Sequence, residues 1–220
     1  MALDERKRQK KLARKTAKRK KSLITAKKEH STVINLMNDP MTVALASSAA
    51  LVHECYVSDG LFENGLGQAV ISKLLPNGRI AVAGFLLDVY CLGVKDAYAK
   101  AMSAQEFREY VKMLERIGPL RKVEPSYVRK LVESAETWAA GIGFSAHPDY
   151  RVAKQLFNDI LAENCPDEFV FGRHGKPYFI QGPNETPVKV RQALETLKRT
   201  CGEGNFDYLL AAGVSAGDNF

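Results

Sequence analysis

The sequence predicts an α+β fold: an antiparallel sheet with two β-hairpins covered by helices, plus a basic N-terminal arm. Three observations predict it. Two pairs of extended apolar runs are each joined by a short glycine-containing turn. Segments with apolar residues at helical spacing, opened by capping residues, lie between and after them. The positive charge is confined to the start of the chain.

Residues 1–29 hold 13 Lys/Arg against Asp4, Glu5 and Glu29, a local charge of +10; the whole chain sums to +7, so the other 191 residues carry −3. We divide the chain into an arm, 1–30, a single α+β domain, 31–212, and a flexible tail, 213–220. Like charges at i,i+4 repel along the arm, so it is expected to be disordered alone and helical once its charge is neutralised.

Asp39-Pro40 reads as an N-cap followed by the first residue of a helix running to Ala50. Leu51 to Ser58 reads as a strand ended by Asp59-Gly60. Gln68 to Leu75 and Arg79 to Leu92 flank Pro76-Asn77-Gly78, and Asn-Gly supplies the positive φ that a tight hairpin needs. The second of these runs is apolar on both faces, the pattern of a central strand covered from above and below.

Helices are expected next. Ser103 and Glu106 form a capping-box pattern ahead of Phe107, Tyr110, Val111 and Leu114. Glu124-Pro125 opens a second helix through Val128, Leu131, Val132 and Ala135, and His147-Pro148-Asp149 leads into a third. Phe169-Val170-Phe171 and Tyr178-Phe179-Ile180 bracket Gly172 to Lys176 as the second hairpin. Thr186-Pro187 caps a last helix, and Phe206 to Ala211 reads as a final strand or, from Asp207-Tyr208, equally as the start of a helical turn.

Several classes are excluded. No apolar run reaches the roughly 18 residues that cross a membrane. The basic start is not followed by an apolar signal-peptide core; a mitochondrial transit peptide stays open as the weaker reading, because such peptides are Arg-rich and this arm holds more Lys than Arg. Cys55, Cys91, Cys165 and Cys201 form neither a CxxC pair nor a zinc-ligand spacing, which predicts free thiols in a cytoplasmic protein. No P-loop, GxGxxG, GxSxG or HExxH pattern is present.

Chemistry has three candidate locations. The first is the arm: Arg6, Lys7, Arg8, Lys10, Lys11, Arg14, Lys15, Lys18, Arg19, Lys20, Lys21, Lys27 and Lys28. So many cations in one short segment neutralise phosphates and release counterions. With no aromatic residue among them, base stacking is not expected, so the arm should grip backbone without reading sequence. Too few apolar residues interleave for a lipid surface. The second location is Glu54, Asp88 and Asp96, strand-borne carboxylates of the kind that hold Mg2+ or Mn2+ in nucleases. The plainer reading has Asp88 capping a following helix or pairing with Lys95. The third is the basic turn Arg173, His174 and Lys176, flanked by aromatics, which suits RNA phosphate or a base and equally an ordinary exposed turn. His53 and Cys55 alternate on one strand and are read as core residues on one face.

The stretch from Gly84 to Ala97 (GFLLDVYCLGVKDA), with His53-Glu54-Cys55 before it and Gly143-Phe144-Ser145-Ala146-His147-Pro148-Asp149-Tyr150 after it, resembles a group of uncharacterised bacterial proteins over about residues 50–210. The resemblance implies a bacterial, cytoplasmic origin and carries no activity, cofactor or site residue. The sequence thus points to an RNA-binding accessory protein without a cofactor, ribosome-associated, its partner RNA such as rRNA. The alternatives are a metal-dependent nuclease and a protein-binding adaptor with an RNA tether.

Overall fold

The computed structural model describes residues 39, 42–43, 47, 50–183 and 185–210. Its main sheet contains β1 (Leu51–Ser58), β2 (Leu66–Leu74), β3 (Ile80–Asp88), β4 (Gly93–Met102) and β5 (Leu120–Lys122). All neighbours are antiparallel, in the order β4-β3-β2-β1-β5. Around it lie α1 (Leu61–Asn64), α2 (Ala104–Ile117), α3 (Pro125–Gly141), α4 (Tyr150–Ala153) and α5 (Pro187–Cys201). A separate parallel pair joins β6 (Tyr178–Ile180) to β7 (Asp207–Leu209). The fold is α+β, an antiparallel sheet with helices packed around it.

The two faces of β3 explain its apolar run. Ala81, Ala83, Phe85 and Leu87 share a core with Leu131 and Ala135 of α3 and with Phe157 beyond α4. Ile80 and Val82 point the other way, to Phe107 and Leu114 of α2. Each fully buried large side chain contributes about 1.5–3 kcal/mol by leaving water. A third core gathers Cys91, Phe179, Leu194 and Leu197 where α5 crosses the turn end of the sheet.

Several caps behave as read. Asp39 Oδ2 accepts the Thr42 N–H at 2.9 Å, and Val43 N–H donates to the Asp39 carbonyl at 3.0 Å. The rest of the 40–49 reading lies mainly outside the described residues. Ser103 and Glu106 complete a reciprocal capping box at α2, and Thr186 Oγ1 accepts the Lys189 N–H at α5. Gly78 at φ +76° closes the β2–β3 hairpin, where Leu75 N–H donates to the Arg79 carbonyl at 2.8 Å.

Three readings need correction. The run Arg79 to Leu92 is not one strand. The chain reverses after Asp88, whose Oδ1 accepts the N–H groups of Cys91 at 2.8 Å and Tyr90 at 3.1 Å, and returns as β4. Asp88 therefore caps a turn, not a helix. Gly93 makes the reversal possible: at φ +65° it lies against α3, and a Cβ there would come within 2.6 Å of the Ala139 Cβ. The second hairpin shrinks to one tight turn bridged between Arg173 and Lys176. Its flanks pair elsewhere, because Gly172 N–H donates to the Val89 carbonyl at 2.8 Å and Tyr178 N–H to that of Tyr90 at 2.9 Å. Finally, a β-bulge between Val52 and Cys55 breaks the alternation of β1. His53 is exposed, edge-on to Phe107 of α2, while Cys55 enters the core under α3, so the two lie on opposite faces.

Both edges of the sheet are guarded. β5 has only three residues. β4 exposes Asp96 and Lys100, and its Val94 carbonyl is taken by the His147 N–H at 3.0 Å. Among the described residues no helix is long and apolar enough to cross a membrane. The four cysteines are free.

Candidate functional site

The arm cations, Arg6 to Lys28, lie outside the described residues. The basic turn is fully described. Arg173 N–H donates to the Lys176 carbonyl at 2.8 Å, with His174 at φ +56° and Gly175 at φ +79° at its tip. Arg173 lies over the Tyr178 ring at 4.9 Å, and Tyr178 packs on Tyr90 at 6.1 Å. Tyr90 is tied down in turn by its hydroxyl, which donates to the Glu63 carbonyl at 2.8 Å. Lys176 Nζ sits 3.2 Å from Asp207. One of the three turn residues is thereby neutralised, while Arg173 and His174 remain exposed on a braced turn. Among the described residues no acid lies within ion-pair distance of this guanidinium, which lies over an aromatic face.

The three carboxylates do not converge. Glu54 N–H donates to Ser72 Oγ, Ser72 is in register with Val82, and Asp88 lies six residues further along β3. At roughly 3.3 Å per residue that is about 20 Å along the sheet. One two-metal centre cannot draw on both, since its ions stand only about 4 Å apart. Each acid also has its own local role. Glu54 binds Lys122 Nζ at 3.0 Å and accepts the Tyr56 hydroxyl at 2.9 Å. Partial burial pushes its pKa up, but these two partners outweigh that and hold the carboxyl below the usual range. Burial pushes Asp88 up to about 6, against the pull of the turn N–H groups and Lys95. Asp96 accepts its neighbour Ala97 N–H at 2.8 Å and lies 3.7 Å from His147 Nδ1. No group of three or more His, Cys, Asp or Glu among the described residues is placed to hold a metal ion.

A hollow of about 670 Å³ has almost no signature in the sequence. It lies between α5, the 181–186 loop and the turn end of the sheet. Its wall on α5 is Lys189, Gln192, Ala193 and Thr196. That i, i+3, i+4, i+7 spacing is the only sequence signal, and in a helix with charged neighbours it reads as a solvated face.

No family model, curated protein or solved structure matches the chain. The fold and these sites define an α+β domain with a braced basic turn and a small-molecule-sized hollow.

Proposed function

We propose that this protein is an RNA-binding accessory protein, associated with the ribosome or another structured RNA. The observation that carries the reading is the charge asymmetry: +10 in residues 1–29 against −3 in the rest. Thirteen like charges repel one another and gain nothing in an isolated chain; a polyphosphate backbone relieves that repulsion. The arm supplies affinity through phosphates. The turn carrying Arg173 and His174 supports a second, positioned contact, because stacking on Tyr178 fixes the guanidinium before any partner arrives. An acidic body is not drawn to RNA by bulk charge, so geometry at this turn must set orientation.

A gel-shift series across salt with a structured RNA tests the proposal. Full-length protein is expected to show log affinity falling with log salt at about 0.7–0.9 per phosphate neutralised. Deleting residues 1–28 should flatten that slope and abolish tight binding. Arg173→Ala should lower the slope by about one. Unchanged RNA affinity in the truncated protein sinks the arm reading.

A further inference from the structure

The hollow beside α5 has three features that folding alone does not require. First, β3 is buried at every position but Leu86, and Leu86 opens into the hollow. Here about 670 Å³ stands open over apolar surface from Leu66, Leu86, Phe144 and Phe179. That volume lies within the roughly 300–1,000 Å³ of small-molecule sites.

Second, the polar groups on its wall are sorted by charge. Lys95 Nζ meets Glu185 Oε1 at 2.5 Å, and Glu185 Oε2 also accepts the Gly182 N–H at 3.0 Å. Glu185 is thereby committed, with its side chain 14% exposed, while Lys95 keeps 24%. One helical turn on, Lys189 lies within ion-pair distance of no acid among the described residues. The wall therefore carries two ammonium groups against one occupied carboxylate.

Third, Gly182 leaves room for that arrangement. Its φ is not positive, so glycine is not needed for backbone reasons. A Cβ there would stand 3.2 Å from Lys95 Nζ and crowd the ammonium on the wall.

We infer that this hollow binds a small monoanion that joins an apolar body to a carboxylate, such as a medium-chain or aromatic acid. The apolar body lies over Leu66, Leu86 and Phe144; the carboxylate reaches Lys189, with Lys95 beside it. A nucleotide fits less well. Its base edges would lie unpaired against leucine and phenylalanine, and its phosphate asks for more positive charge than the wall leaves over. The inference does not rest on the RNA-binding reading, since none of its residues belongs to the arm or the basic turn.

Calorimetric titration of the full chain with decanoate, and separately with 2-naphthoate, tests it. Saturable one-to-one binding of at least one acid is expected. Lys189→Glu, on an exposed position, should weaken binding by about tenfold or more, whereas Lys198→Glu on the same helix should not. 1-Decanol should bind about tenfold more weakly than decanoate. Ala193→Trp, which fills the hollow, should abolish binding; if it fails to fold, Lys189→Glu still decides. Absence of saturable binding by both acids, equal affinity in Lys189→Glu, or displacement of bound decanoate by equimolar uridine monophosphate overturns the inference.

Discussion

Lys73 Nζ lies 3.7 Å from Asp159 Oδ1, yet the lysine side chain is 1% exposed and the aspartate 84%. The lysine sits on the covered face of β2, in register with Ala81, and its second contact, the Ser47 carbonyl, is 3.5 Å away. Both contacts are longer than a good charge-assisted hydrogen bond. Burial pulls the ammonium pKa below its usual value, and Asp159 only partly restores it.

Replacing Lys73 by Met, of similar reach and no charge, should leave stability at neutral pH unchanged or raise it, because an apolar isostere escapes the desolvation cost. Asp159→Asn should lower stability by about 1 kcal/mol, since an exposed partner is strongly screened. The pH signature separates the two. The native lysine titrates below its unfolded value of 10.5, so between the two values the unfolded chain holds more protons. Stability of the wild type should therefore rise with pH through that window, and Lys73→Met should lose the rise. Urea midpoints at about pH 7 and about pH 10 measure it; a rise that persists in Lys73→Met contradicts the assignment.

Asp88 behaves oppositely. Its folded pKa is raised to about 6 from 3.8, so between those values the folded state holds the extra proton. Stability should fall as pH climbs through this window and level off above about 6. Asp88→Asn keeps an oxygen for the Tyr90 and Cys91 N–H groups and removes the charge, so it should abolish this fall and cost little at pH 7. Asp88→Ala leaves the buried Cys91 N–H and the part-buried Tyr90 N–H unpaired and should cost about 1–3 kcal/mol. Chemical denaturation of the three proteins at pH 5 and pH 7.5 tests this; equal losses for Asn and Ala would show that the charge, not the turn cap, is what matters.

Gly93→Ala should be among the most damaging single-methyl changes in the domain. The residue is at φ +65°, and the added carbon would meet Ala139 Cβ at 2.6 Å and the Ala135 carbonyl oxygen at 2.7 Å. Left-handed strain and overpacking together suggest a loss of about 2–4 kcal/mol. A thermal or urea unfolding curve gives the number, and a loss below about 1 kcal/mol would mean that the β3–β4 reversal relaxes easily.

Much of the fold is legible because its signals are local. The bounds of β1 match the reading residue for residue, Asn77-Gly78 marks a real hairpin, and Ser103 and Thr186 cap the helices they precede. β4 carries little strand signal in the sequence because most of its inward residues, Ala97, Ala99 and Ala101, are too small to stand out from the charged residues between them. They are small because α3 and α4 approach this part of the sheet closely. The reduced second hairpin was illegible for another reason: Val89 and Tyr90, distant in sequence, claim the hydrogen bonds its flanks would have exchanged. The hollow depends on α5 packing against Cys91 of the turn after β3 and Phe179 of β6, long-range contacts that no local pattern encodes.

The guarded edges of the sheet bear on how this protein behaves at high local concentration. Crowding many copies together is the condition under which open strand edges template one another into fibrils. With β5 cut to three residues and β4 bearing Asp96, Lys100 and an occupied Val94 carbonyl, neither edge offers a long free ladder. Two copies pressed together would meet through side chains rather than through paired backbone.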